Sequence, residues 1–219
     1  MNIFFDIDDT LFPSSEFSAL ARKNALNAMI AIGLDCEYQK LNDLLLSLIK
    51  EKGSNYPNHF NDLCKILNAN EPAKFVAAAV AAYHHTKSSI APYPQIPKTL
   101  LRLKDDGHHI YVATNGDSVK QWDKLIRLGL ALYFDNVFIS EEVGVEKSPE
   151  FYSKILKSLN VEPSQCVMIG DREDADIVSA KKVGMKTIRI LKGKHSHTPS
   201  TADFTIEELG NLYQIMQHL

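Results

Sequence analysis

Ile3-Phe4-Phe5-Asp6-Ile7-Asp8-Asp9-Thr10 is the stretch on which the reading of this chain turns. Residues 2–6 are an apolar run that stops on acid. The run is too short for a helix and has the composition of a strand buried on both faces. Three aspartates, Asp6, Asp8 and Asp9, then crowd the turn that follows. In open α/β sheets, ligands gather outside the carboxyl ends of the strands, so this turn lies where chemistry is expected. Carboxylates this close repel and raise each other's pKa unless a cation neutralises them. A hard cation with oxygen ligands does so, and magnesium suits a carboxylate pair that also meets a phosphate. Alone, Asp-x-Asp-Asp-Thr is equally an ordinary turn, because Asp and Thr are common turn residues.

Beyond the turn, Pro13 and Ser14-Ser15 punctuate the chain and the pattern becomes helical. Leu20, Ala21, Ala25, Ala28, Met29 and Ile32 recur at helical spacing up to a stop at Gly33. Leu41, Leu44, Leu45, Leu48 and Ile49 do so up to Lys52-Gly53. Further helices are expected over Phe60–Leu67 and Ala73–His85, giving a small antiparallel bundle. Pro92, Pro94 and Pro97 mark a second boundary. After it, expected strands at Ile110–Thr114, Asn136–Ser140, Cys166–Gly170, Thr187–Ile190 and Asp203-Phe204 alternate with helices over Pro97–Asp106, 118–128, Pro149–Leu159 and Ala175–Val183. A last helix is expected from Ile206. Such alternation means βαβ units and a doubly wound parallel sheet. The expected fold is therefore α/β: residues 1–13 and 93–219 form one Rossmann-like domain, and residues 14–92 form a helical block inserted after its first strand. Lys192–Thr201 is polar and reads as an exposed loop.

Three later segments bear on the acidic turn. Thr114-Asn115-Gly116 closes a buried strand, where a hydroxyl and turn N–H groups can hold phosphoryl oxygens. Lys147-Ser148-Pro149 opens a helix and carries a lysine able to neutralise a phosphoryl group beside an acid. Asp171, Glu173, Asp174 and Asp176 crowd the end of the strand Val167-Met168-Ile169. Helix capping explains one of those acids, but not why acidic turns follow two separate strands.

In this order the four segments resemble those of the haloacid dehalogenase superfamily of phosphohydrolases, in the subgroup with a helical cap after the first motif. The resemblance implies that Asp6 is the nucleophile that becomes an aspartyl-phosphate. It makes Asp8 the acid for the leaving alcohol and then the base for water. Thr114 and Asn115 would bind the phosphoryl group, and Lys147 would hold it together with Asp6. Magnesium would be ligated by Asp6, the Asp8 main-chain carbonyl and Asp171. Asp176 would support the metal site or Lys147 without touching the ion. Asp8 also separates a phosphatase from a dehalogenase, whose departing halide needs no proton. Two departures stand out: Ser148 intervenes between Lys147 and Pro149, and Ala175 replaces a commoner Asn or Ser. The stretches Lys52–Pro57, His59-Phe60 and Val119–Leu130 further resemble an archaeal branch of these phosphatases, some members of which are named glyceraldehyde 3-phosphate phosphatases.

The bulk properties argue for a folded globular chain and leave a small anionic substrate possible. The chain has 219 residues, 45% hydrophobic and 23% charged, near globular averages. A net charge of −3 gives no reason to expect nucleic-acid or membrane affinity. No basic segment followed by an apolar run opens the sequence, and the longest apolar-rich stretch, Phe75–Tyr83, is too short to span a bilayer. Cys36, Cys64 and Cys166 fit neither a zinc pattern nor a disulfide framework and read as buried free thiols in a reducing, cytoplasmic setting. The expected partner is a small phosphorylated metabolite, bound by a monomer or a homodimer. His84-His85 is set aside as a metal site because neighbouring helical side chains point about 100° apart, and His108-His109 and His195-Ser196-His197 are set aside with it. Trp122 reads as a packing residue, and Tyr56, His59 and Phe60 as either pocket or core. A sugar phosphomutase shares the whole motif set, and a signalling receiver shares an acidic pair, a Thr and a Lys on a parallel sheet.

Overall fold

The apolar run at the start of the chain forms β1 (Asn2–Phe5), buried at every position. The computed structural model describes residues 1–217. Five further strands follow: β2 (His109–Thr114), β3 (Asn136–Ile139), β4 (Cys166–Gly170), β5 (Lys186–Ile190) and β6 (Phe204–Ile206). All neighbours pair in parallel, in the order β3-β2-β1-β4-β5-β6. β1 is thus central, and Phe5 lies opposite Val112 on one side and Ile169 on the other. The chain winds outward from β1 through β2 and β3, then returns to its other side at β4. That reversal opens a crevice at the carboxyl ends of β1, β2 and β4.

Four helices form one compact unit, Glu16–Ser89: α1 (Ser14–Ala31), α2 (Tyr38–Lys52), α3 (His59–Ile66) and α4 (Pro72–Ser88). Ala25, Leu26 and Met29 of α1 meet Leu41, Leu45 and Leu48 of α2, Leu63 of α3 and Phe75 and Ala79 of α4 in its core. These positions repeat at three- and four-residue spacing, so each helix turns one stripe inward. α2 stops where Gly53 takes a φ of 81°, which a side chain would oppose.

The second unit comprises Met1–Ser15 and the chain from Ile90 onward. It carries the sheet with α5 (Ile96–Asp105), α6 (Ser118–Arg127), α7 (Ser140–Val143), α8 (Pro149–Leu159), α9 (Ser179–Lys182) and α10 (Leu212–Met216). One sheet face presents Phe4, Tyr111, Ala113 and Met168 to Phe151, Tyr152, Ile155 and Leu156 of α8 and Ala180 of α9. Among the described residues, no helix is long and apolar enough to cross a membrane.

Several local expectations need correction. The helix expected over Ala175–Val183 begins instead as a wide π-type turn, Glu173–Val178, and becomes α-helical only at α9. Ile206 belongs to β6, where it pairs with Ile190, and the last helix starts at Leu212. Asp203 precedes that strand; its carboxylate accepts from the N–H and hydroxyl of Thr187. Lys192–Thr201 is an exposed to half-exposed loop, as expected, and Arg189 anchors it from beneath. Cys64 and Cys166 are buried free thiols, but Cys36 is partly exposed. Trp122 is 37% exposed.

Candidate active site

The sheet sets the site's backbone. The N–H of Asp6 donates to the Ile169 carbonyl at 2.9 Å, one step past the last paired residue of β1, so Asp6 is held by strand geometry. Thr114 ends β2 and Asp171 follows β4, so strand ends on both sides of β1 converge on Asp6. Lys147 enters from the turn before α8. Ser148, the first departure noted above, caps that helix: its hydroxyl accepts from the Phe151 N–H at 3.3 Å, and Pro149 occupies the first turn.

Lys147 is the hub. Its Nζ lies 2.6 Å from Asp6 Oδ1 and 2.5 Å from Asp176 Oδ1, with all three groups buried. Asp176 reaches this position because the π-type turn widens the backbone: the N–H groups of Asp176 and Ile177 both donate to the Arg172 carbonyl. Its Oδ2 then accepts from the Arg172 N–H at 3.0 Å, so both Asp176 oxygens are engaged with Ala175 before it. Gly170 leaves room for this carboxylate, since a Cβ there would collide with it.

Asp171 is buried beside this cluster and, among the described residues, has no ion-pair partner. Burial, then the charges of Asp6, Asp176 and Asp9, push its carboxyl up to about 8. Burial raises Asp6 to about 6, opposed by Lys147. Burial alone would lower Lys147, but Asp176 and Asp6 hold it above its ordinary value. Ligand oxygens of Asp6, Asp171 and Asp176 lie within 4.8 Å of one another. Three carboxylates against one ammonium leave two negative charges, the complement of a divalent cation. Asp176 is committed to Lys147 and Arg172, so Asp6 and Asp171 are the side chains left to hold such an ion. All are hard oxygen donors, and the donor set fits that class of metal. No histidine belongs to this group among the described residues.

The other acids of the first turn separate in role. Asp9 adopts a left-handed φ of 53° and turns its carboxylate to the N–H and hydroxyl of Ser15. It serves the entry to α1. Asp8 accepts at both oxygens from Lys124 Nζ, at 2.8 and 2.6 Å. Asn115 ties two loops together: its Oδ1 accepts from the Lys147 N–H at 2.7 Å and its carbonyl from Gln121 Nε2 at 2.5 Å. In the helical unit, Phe60 packs in the core, and Asp62 accepts from Lys52, Tyr56 and Lys65, which hold its carboxyl well below the usual range. His59 is buried there against Tyr56.

Three residues of this network escaped the sequence reading: Gln121, Lys124 and Arg189. Arg189 is fully buried in β5. Its guanidinium donates to the Asp171 carbonyl at 3.0 Å, to Glu173, and to the carbonyls of His195 and Pro199. It ties the Asp171 turn to the 192–201 loop. Replacing it with Met strands these acceptors and the Glu173 charge. Arg189→Met should cost roughly 3 kcal/mol of stability in urea denaturation; a loss under about 1 kcal/mol would contradict this account.

The chain matches the family model for haloacid dehalogenase-like hydrolases over residues 3–190. It belongs to that family. Among its relatives is the glyceraldehyde 3-phosphate phosphatase of Methanopyrus kandleri, 42% identical over 99% of this chain and 97% of that one. The enzyme of the same name from Methanocaldococcus jannaschii is also 42% identical, over 99% and 97%. Among solved structures, a HAD phosphatase from Thermococcus onnurineus superposes with a TM-score of 0.68 at 25% identity, covering 98% of this haloacid dehalogenase-like chain and 97% of that one.

Proposed function

We propose that this chain is a cytoplasmic, magnesium-dependent phosphatase. It hydrolyses a small phosphomonoester, glyceraldehyde 3-phosphate or a related triose or sugar phosphate, through a phosphorylated Asp6. The observation that carries this is the Lys147 bridge between Asp6 and Asp176, with Asp171 unpaired beside it. Such a site needs a dication and welcomes an anion that brings one. The two archaeal relatives named above support the substrate class.

Phosphoryl transfer asks mainly for alignment and charge neutralisation. Lys147 holds Oδ1 of Asp6, which directs the other oxygen to phosphorus. As the Asp6–phosphorus bond forms, the bond to the leaving oxygen breaks, and Asp8 supplies the proton that oxygen needs. Thr114 and the carboxamide N–H groups of Asn115 receive phosphoryl oxygens. Asp8 then takes a proton from water, whose oxygen attacks phosphorus and frees Asp6. Magnesium held by Asp6, the Asp8 carbonyl and Asp171 would screen the repulsion between the acids and the substrate. The helical unit, residues 14–92 in the sequence reading, would act as the cap that supplies specificity. Release of phosphate from a panel of phosphometabolites tests this: triose and sugar phosphates should turn over with magnesium and stop with chelator. No magnesium-dependent release from any of them would overturn it.

The acids also predict a pH dependence of the metal-free protein. Asp6 and Asp171, at about 6 and about 8, bind protons more tightly folded than at their ordinary value of 3.8. Their contribution to stability is therefore full below about pH 4 and is lost as pH rises through 6 and 8. In chelator, the melting temperature should be lower at pH 8.5 than at 5.5, and magnesium should raise it more at the higher pH. Equal metal-induced shifts at both pH values would contradict this.

A further inference from the structure

We infer that Lys124 is a positioning residue: it fixes the Asp8 carboxylate for the hydrolytic half of the reaction. The inference rests on the roles of Asp6 and Asp8 given above. Lys124 lies on α6, 116 residues from Asp8 in the sequence, and donates to both of its oxygens at 2.8 and 2.6 Å. The same helix sends Gln121 to the Asn115 carbonyl. α6 thus ties down the turn after β1 with one side chain and the loop after β2 with another.

The Asp8 side chain is 41% exposed, and Lys124 is 23% exposed. Aspartate at an open turn has two rotatable side-chain bonds, and a base that wanders loses the advantage of proximity. An ammonium that donates to both oxygens removes that freedom. In the second half-reaction the water proton passes to Asp8, the water oxygen bonds to phosphorus, the phosphorus–Asp6 bond breaks, and phosphate departs. Lys147 cannot replace Lys124 here, since Asp6 and Asp176 hold it.

An ion pair this exposed contributes little to stability, so its removal should leave the fold intact. The test is rapid-mixing kinetics with p-nitrophenyl phosphate and magnesium, comparing wild type, Lys124→Met, Lys124→Arg, Asp8→Asn and the double variant Asp8→Asn/Lys124→Met. The nitrophenolate leaving group needs no proton, so phosphorylation of Asp6 is spared. Lys124→Met should release a burst near one equivalent per site and then turn over about 10- to 100-fold more slowly than wild type. Lys124→Arg should recover most of the steady rate, and the double variant should be no slower than Asp8→Asn. Unchanged turnover in Lys124→Met, a loss shared equally by burst and steady phases, or additive losses in the double variant would overturn the inference. Wild type without magnesium-dependent turnover of any phosphomonoester would overturn the phosphatase reading itself; an active wild type with an unaffected Lys124→Met overturns only the role of Lys124.

Discussion

Asp6→Asn should abolish turnover, by roughly 10⁴-fold or more, while leaving the protein folded. The carboxamide keeps the shape of the carboxylate but is a poor nucleophile, and no other acid can substitute. Asp176 is bound at both oxygens by Lys147 and the Arg172 N–H, and Asp9 is turned to Ser15. Asp171 follows a different strand, and Asp8 faces Lys124. The fold should survive because Lys147 retains Asp176 as its counter-ion. It should even gain in metal-free solution at pH 8, because a neutral side chain replaces a buried carboxylate whose pKa burial has raised. The measurement is phosphate release with magnesium, paired with thermal unfolding in chelator. Turnover within tenfold of wild type would end the case for covalent catalysis. A melting temperature many degrees below wild type would instead mean that the Lys147–Asp6 pair is structural.

The part of this site that follows strands was legible because a buried parallel strand reads as an apolar run, and the residues just past it lie at the carboxyl edge of the sheet. Asp6, Thr114 and Asp171 are read that way, and the adjacency of β1, β2 and β4 sets them at neighbouring strand ends. The helices of Glu16–Ser89 were legible from their periodicity and glycine stops. The π-type turn at Glu173–Val178 was not, because it depends on where Asp176 must reach, not on local preference. Ile206, Leu209, Leu212 and Met216 mimic one helical face, yet Ile206 pairs with β5; spacing cannot tell a strand residue followed by a turn from a helix start. Arg189 gave a faint signal, a charge inside Thr187-Ile188-Arg189-Ile190, where full burial demands partners. Lys124 lay on the helix expected over 118–128, but nothing local tied it to Asp8, because its partner is far away in the chain.

Lys147→Met should damage activity and stability together. Lys147 is the sole cation with ion pairs to Asp6 and Asp176 among the described residues, and its side chain is 2% exposed. Without it, three buried carboxylates face one another with no compensating charge. Breaking one side of a buried pair typically costs about 3–5 kcal/mol, most of it from the charge left behind. Urea unfolding in chelator should show a loss of that order at pH 8 and a smaller one at pH 5.5, where protonation relieves the repulsion. Magnesium should stabilise Lys147→Met by more than it stabilises wild type, since the dication then supplies charge that the lysine did. Turnover should fall roughly 10³-fold or more, because an anionic phosphate must approach anionic Asp6 without the ammonium between them. Two companion variants separate charge from packing. Lys147→Met/Asp176→Asn should be more stable than Lys147→Met alone, as one uncompensated carboxylate is gone. Lys147→Arg keeps the charge, but its wider planar head must fit a space shaped for one ammonium between two carboxylates, so activity should stay low while part of the stability returns. If Lys147→Met unfolds within 1 kcal/mol of wild type in chelator, the cluster is not held by this charge balance, and the case for a dication beside Asp171 loses its physical basis.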